Sequence, residues 1–173
     1  MLPIRKAFAR YSPWLTVVAV YLVLGLAGRT VLWSRFGMEA DVGASRLPYV
    51  LTAGCVNDLV ESLYLFAPFA LYILLVPDRW FRSTANRVIL YGATAATITG
   101  LIYLTAAEYF FFEEFDARFN IVAYDYLAYP TEVFTDIWEA YPVMKVLGVA
   151  VALAALAVYF LRHSIKPGFD HVV

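Results

Sequence analysis

The chain has 173 residues and a formal net charge of −1, and 62% of its residues are hydrophobic, with a mean hydropathy of +0.69. A soluble domain of this length is nearer half apolar, so the composition argues against that class and for membrane spans. The near-neutral charge gives no indication of a nucleic-acid partner, and the single cysteine, Cys55, excludes an internal disulfide and a cysteine-based metal cluster.

Four apolar segments predict transmembrane helices, at about residues 12–33, 48–76, 88–107 and 141–162. Each is long enough to cross roughly 30 Å of hydrocarbon as a helix. The third is rich in alanine, glycine and threonine, which allow close helix packing, so we expect it to be the helix most surrounded by protein. These segments predict an all-α integral membrane bundle of four helices, with residues 1–173 as a single membrane domain.

The second segment carries polar residues inside its apolar run: Asn57, Asp58 and Glu61. Asp58 and Glu61 are three residues apart, so they share a helix face. Ionisable groups within a span are costly and usually face a cavity or a partner, so we expect both carboxylates to face the bundle interior. A structural role, either a pair with Arg29 or Arg118 or simple closeness to the outer interface, is favoured over a site for a lipid headgroup or a proton path.

The distribution of basic residues predicts the orientation, because cytoplasmic loops carry an excess of lysine and arginine. With a cytoplasmic N-terminus, eight basic residues lie inside and five outside. The inner set is Arg5, Lys6, Arg10, Arg79, Arg82, Arg87, Arg162 and Lys166. Four spans place both termini in the cytoplasm. His163 and His171, near the C-terminus, are interpreted as solvated tail residues rather than metal ligands.

The long segment at residues 108–140 is predicted to lie outside the cell and is crowded with aromatic and acidic residues. Residues 108–120 continue the third span outwards, and their rings suit the headgroup level of a membrane. After Pro130, helical spacing of Val133, Phe134, Ile137 and Trp138 predicts a short amphipathic helix on the outer membrane surface, with Thr131 as its N-cap. We expect this helix to pack on protein or to cover a lipid-access groove.

Arg118 is the only basic residue among eight acidic residues between Glu108 and Glu139. A lone arginine in this setting is expected to be paired, and Asp125 and Glu132 are the nearest candidates by position. Such a pair would clamp the outer segment against the helix after Pro130. The residues that could then line a lipid groove at headgroup depth are Arg118, Asn120, Asp125, Tyr126, Tyr129, Glu132 and Trp138. A purely structural clamp is the alternative.

The string "ARFNIVAYDYLAYPTEVFTDIWEAYPV", at residues 117–143, resembles the outer-face segment of the lipoteichoic acid synthase family, especially its Gram-negative members. The second span, "NDLVESLYLFAPFALYILLVP", is similar to that family's second helix, although Asn57 stands where an aromatic residue is expected. The matching positions of the string are Arg118, Phe119, Asn120, Asp125, Tyr126, Leu127, Tyr129, Pro130, Glu132, Val133, Tyr141 and Pro142.

The resemblance implies the membrane domain of a phosphoglycerol transferase of the alkaline phosphatase and sulfatase superfamily, in a bacterial inner membrane. It implies an extracytoplasmic catalytic domain that uses a divalent metal and a threonine nucleophile. No catalytic residue, metal site or cofactor of that kind is expected within these 173 residues, so the sequence is interpreted as ending before the catalytic domain. The expected partners are membrane lipids and that catalytic domain.

Two further functions fit the composition. One is a small non-enzymatic integral membrane protein, such as an assembly factor or a transporter subunit. The other is a proton or ion channel, for which only Asp58 and Glu61 could line a path. The residues alone do not separate the anchoring domain from the first of these.

Overall fold

The protein is all-helical wherever its structure is described. A computed structural model describes residues 9–37, 43–119 and 130–166. Its helices are α1 (Ser12–Phe36), α2 (Leu47–Leu65), α3 (Ala67–Leu75), α4 (Asp78–Phe81), α5 (Thr84–Phe115), α6 (Pro130–Ala140) and α7 (Val143–Ile165). A short 3₁₀ turn, Ala44–Arg46, precedes α2. The predicted all-α class is therefore confirmed for the described residues.

Three helices are long and apolar enough to cross a membrane: α1, α5 and α7. Their best 18-residue windows have mean hydropathies of 2.0, 1.6 and 2.2. The consecutive helices α2 and α3 meet the same test only as a pair, and would form a fourth span. Several apolar helices of this kind are compatible with a multi-pass membrane protein.

The second predicted span is not one continuous helix. It is bent by 47° at Phe66, between α2 and α3. Pro68 explains the break, because it lacks an N–H for the carbonyl one turn earlier and disfavours helical geometry at the residue before it. The carbonyl of Phe66 accepts from the backbone N–H of Ala70 and also from the Trp14 indole of α1, at 3.1 Å, which holds the bend against the bundle.

Helix α1 is the centre of the packing: it contacts α2, α5 and α7, and α5 also packs against α7. Helices α1 and α7 run antiparallel, whereas α1 and α5 run parallel. Ser12 at the start of α1 donates to the carbonyl of Ile165 at the end of α7, and Phe36 at the other end of α1 lies 4.9 Å from Phe112 of α5, between ring centroids. Helix α2 packs mainly on α1, so it lies at an edge of the bundle.

The helix of the third predicted span continues beyond residue 107. Helix α5 runs from Thr84 to Phe115, so residues 108–115 of the predicted outer segment continue it. It ends where Asp116 adopts a left-handed backbone with φ of 49°. The expectation that this helix is the most enclosed is wrong: its apolar window is no more buried than that of α1. The faces at Gly92 and Gly100 meet open space.

A helix is present where the sequence predicts one after Pro130, but it starts at Pro130, so Thr131 lies inside α6 rather than capping it. Its aromatic residues Phe134 and Trp138 are 63% and 48% exposed and stack on each other, with ring centroids 5.4 Å apart. The fourth predicted span corresponds to α7, which begins after Pro142 and ends at Ile165.

Candidate functional site

A buried ion pair joins α1 to α2. The Arg29 guanidinium donates from Nη1 to Asp58 Oδ2 at 2.5 Å and from Nη2 to Asp58 Oδ1 at 2.6 Å. The two side chains are 8% and 7% exposed. This two-bond arrangement is the geometry that a planar guanidinium and a carboxylate prefer. Of the two partners that the sequence offered for Asp58, the structure selects Arg29.

Two glycines make room for this pair. A side chain on Gly54 would overlap the Nε, Cζ and Cδ atoms of Arg29, and one on Gly25 would overlap Oδ2 of Asp58. Each charged group therefore lies directly on the backbone of the opposite helix. In a bundle without this space, the helices would separate and the pair would lose its burial.

The spacing of these four residues follows from helix geometry. Gly25 precedes Arg29 by four residues on α1, and Gly54 precedes Asp58 by four residues on α2. Residues four apart lie one above the other on the same helix face. In an antiparallel pair, the glycine of each helix is then level with the charged residue of the other. The same face of α2 continues to Ser62, which is also buried.

Asn57 and Glu61, the other polar residues of α2 that the sequence analysis singled out, do not enter this buried seam. Asn57 and Glu61 are exposed, whereas Asp58 is only 5% exposed. The prediction that both acids face the interior is therefore right for Asp58 and wrong for Glu61. Residues three apart differ by about 60° around a helix axis, and a seam made by Gly54, Asp58 and Ser62 is too narrow to include both. Glu61 instead interacts with the hydroxyl of Tyr21, on α1.

Arg118 forms an ion pair with Glu108 of α5. The predicted partners were Asp125 and Glu132; Asp125 and the side chain of Glu132 fall outside the described residues, so those pairings remain predictions. Phe119, next to Arg118, packs on Phe111 with ring centroids 5.1 Å apart, and folds the chain back over the end of α5. Arg118 is half-exposed, so this contact lies at the surface.

The proposed lipid groove falls largely outside the described part of the chain. Asn120, Asp125, Tyr126 and Tyr129 lie in the segment 120–129, which is not described. Trp138 lies on α6 and is 48% exposed. The structure therefore neither assembles nor separates these residues.

At the opposite end of the bundle, Arg10 caps α3, a role that the sequence reading missed. Its Nε and Nη2 atoms donate to the carbonyl of Ile73 at 3.0 and 2.9 Å, and Nη2 also donates to the carbonyl of Val76. The guanidinium forms an ion pair with Asp78 and lies 4.6 Å from the ring centroid of Phe81. Because the last carbonyls of a helix have no partners within it, a basic residue here is stabilising.

Asn86 joins α3 and α4 to the start of α5. Its side chain donates to the carbonyl of Phe81 at 3.0 Å and accepts from the Tyr72 hydroxyl at 2.6 Å, and it is fully buried. The backbone N–H of Asn86 donates to the hydroxyl of Ser83, which is the N-cap of α5. These contacts are structural and leave no free group for chemistry.

Two apolar clefts open on the sides of the bundle. One, of about 520 Å³, lies between the α2–α3 bend and α5, and its walls include Phe66, Phe69 and Gly100. The other, of about 610 Å³, lies between α1, α5 and α7, and its walls include Val20, Ile98 and Ala157. Both are lined mainly by apolar atoms, as a surface facing acyl chains or another helix would be.

The described residues contain no group of three or more histidine, cysteine, aspartate or glutamate side chains that could hold a metal ion. The divalent metal implied by the resemblance therefore does not fit any site in the described part of this chain. No family model, curated protein or solved structure matches the chain.

Proposed function

We propose that this chain is the membrane-anchoring, lipid-presenting domain of a phosphoglycerol transferase of the lipoteichoic acid synthase type. The observation that carries the proposal is the string at residues 117–143. Its described part supports the proposal: Arg118 lies at the end of α5, and α6 presents exposed aromatic side chains. Aromatic rings in such a position suit the level of lipid headgroups.

The proposed topology has four spans, with α2 and α3 forming one bent span. The alternating direction of consecutive spans supports it, since each span carries the chain to the opposite end of the bundle. One end, which we call the basic end, carries Arg10, Arg79, Arg82, Arg87, Arg162 and Lys166. The other, the acidic end, carries Glu108, Glu113, Glu114, Asp116, Asp136 and Glu139. The positive-inside rule then places the basic end in the cytoplasm of a bacterial inner membrane.

In this proposal, the chain contributes binding and position rather than chemistry. The Arg29 guanidinium has both of its terminal nitrogens bonded to Asp58, so it is not available to hold a lipid phosphate. The groups that could contact a headgroup lie at the acidic end, where Arg118 is half-exposed. Transfer of the phosphoglycerol group, which leaves diacylglycerol, would be performed by a separate extracytoplasmic domain.

Lipid turnover in native membranes tests this proposal. The gene that encodes the chain is deleted from its source organism, and the conversion of fluorescent phosphatidylglycerol to fluorescent diacylglycerol is measured in isolated membranes. We expect turnover to fall on deletion and to return when the complete coding region is restored. Restoration with Arg118→Ala should return less of it.

The alternative is a non-enzymatic membrane protein. Unchanged diacylglycerol formation in the deletion strain would contradict the transferase proposal and favour that alternative. An epitope tag at the N-terminus, followed by immunoblotting of the same membranes, shows whether the gene product is larger than 19.5 kDa. A catalytic domain in the same polypeptide would make it so.

A further inference from the structure

Glu61 places an ionisable carboxylate near the middle of a membrane-spanning segment; this step rests on the membrane placement proposed above. Glu61 lies fourteen residues from Leu47 and fourteen from Leu75, the ends of the α2–α3 pair. At 1.5 Å per residue, this is about 21 Å of helix in either direction. The carboxylate therefore lies within the proposed span rather than at either end of it.

The charge of Glu61 is not compensated within the described part of the chain. The interaction that the structure gives it is with the Tyr21 hydroxyl. Arg29, the basic residue nearest in depth, is already bonded through both terminal nitrogens to Asp58. Charged groups inside a membrane pair with one another or face water-filled cavities, because hydrocarbon does not solvate them.

Glu61 also lies one helical turn away from a cleft, on the same face of α2. Leu65, four residues later on α2, lines the 520 Å³ cleft between the α2–α3 bend and α5. Tyr21 contacts both Glu61 and Phe66, and Phe66 lines the same cleft. The opposite wall, on α5, includes the small residues Ala93, Thr97 and Gly100 among larger apolar side chains. A side chain added at Gly100 would meet nothing within 4 Å, so this wall is open.

We infer that this cleft receives a transmembrane helix of a partner protein that carries a lysine or arginine near its midpoint, and that this residue pairs with Glu61. Small residues along the α5 wall allow a second helix to approach closely. A lipid acyl chain could fill the apolar part of the cleft but would leave the carboxylate without a partner. A second copy of this chain docked through α2 would bring two Glu61 carboxylates together.

The test uses the complete chain in phosphatidylcholine vesicles with a donor dye on Cys55, the only cysteine. Three synthetic transmembrane peptides of leucine and alanine carry an acceptor dye and differ only at the central residue: lysine, leucine or glutamate. We expect the lysine peptide to bind roughly three- to thirtyfold more tightly than the leucine peptide, the range for one polar contact between membrane helices. The glutamate peptide should bind no better than the leucine peptide.

Two variants locate the binding. Glu61→Gln keeps the size of the side chain and should remove the preference for lysine. Gly100→Leu should block the cleft and weaken the binding of both the lysine and the leucine peptide. Gly92→Leu, on the same helix but away from the cleft, should leave their binding unchanged. Both glycines face open space, so neither substitution should disturb the chain itself.

Equal binding of the lysine and leucine peptides, or a lysine preference that survives Glu61→Gln, would overturn the inference. So would equal effects of Gly100→Leu and Gly92→Leu. Alkaline extraction of the same vesicles separates this failure from a failure of the proposed function. A chain released by extraction contradicts the membrane placement, and an inserted chain without the lysine preference contradicts only the partner helix.

Discussion

Replacing Asp58 with leucine should strongly destabilise the bundle, because it leaves the Arg29 guanidinium buried without an anion. Both side chains are less than one tenth exposed, and the pair has two short hydrogen bonds. Breaking a buried pair by removing one partner costs about 3–5 kcal/mol, although polar contacts in membranes are often weaker. The double variant Arg29→Met/Asp58→Leu should recover most of this loss, because no unpaired charge remains.

The measurement is the free energy of unfolding in mixed micelles, titrated with dodecyl sulfate and monitored by tryptophan fluorescence. Asp78→Asn is the control: it removes the ion pair with Arg10, but the Asp78 side chain is 64% exposed, so it should cost less than about 1 kcal/mol. The reasoning is refuted if Asp58→Leu is no worse than this control. It is refuted equally if the double variant is as unstable as the single one.

Three other predictions address the remaining features. Gly25→Ala should lower the unfolding free energy by roughly 1–3 kcal/mol, because the added methyl overlaps the ion pair. Gly28→Ala, whose added methyl makes an ordinary contact, should cost much less. Equal losses in the same titration would contradict the idea that Gly25 makes room for the pair. A Ser83→Cys variant in a Cys55→Ser background should stay unlabelled by a membrane-impermeant maleimide in intact cells. Labelling would show that residue 83 lies outside and would contradict the proposed topology. Arg118→Ala should raise protease cleavage within residues 118–142 by about 1.5- to fivefold, the range for an exposed ion pair, and an unchanged rate would rule out the clamp.

The apolar segments predicted the long helices, but not where they end. Hydropathy placed the end of the third span near residue 107, whereas α5 continues to Phe115. Its last turns contact aromatic rings beyond the helix, among them Phe111 with Phe119 at 5.1 Å between centroids. Such contacts depend on how the following turn folds back, which a hydropathy average does not contain. The bend at Phe66, by contrast, had a readable signal in Pro68.

The sequence predicted the ion pair only as two alternative partners for Asp58. The sequence offered Arg29 and Arg118 as partners of Asp58, and nothing in hydropathy decides which helices are neighbours. The stronger signal was the repeated spacing of a glycine four residues before a charged residue, in Gly25 and Arg29 and again in Gly54 and Asp58. On two antiparallel helices, this spacing places each glycine opposite the charged residue of the other helix. It favours Arg29 over Arg118, because no glycine lies four residues before Arg118.

The outer segment was the least predictable part of the candidate site. Arg118 was expected to reach acids further along the chain, but it contacts Glu108, which precedes it by ten residues. The left-handed residue Asp116 reverses the chain between them. A sequence reading that treats residues 108–120 as one outward extension cannot anticipate this reversal, because it depends on a single backbone angle.

The way α2 is attached connects the buried pair to the exposed acid. Association of helices in lipid gains nothing from hiding apolar surface, so it depends on close packing and polar contacts. The seam of α2 against α1 contains Gly54, Asp58 and Ser62, which supply little apolar bulk, and the ion pair therefore sets the register of the two helices. A shift of α2 by one helical turn along α1 would separate each charged residue from the glycine opposite it. It would also move Glu61 by about 5 Å along the bundle. The pair thus fixes the depth at which Glu61 faces the cleft, although it takes no part in binding there.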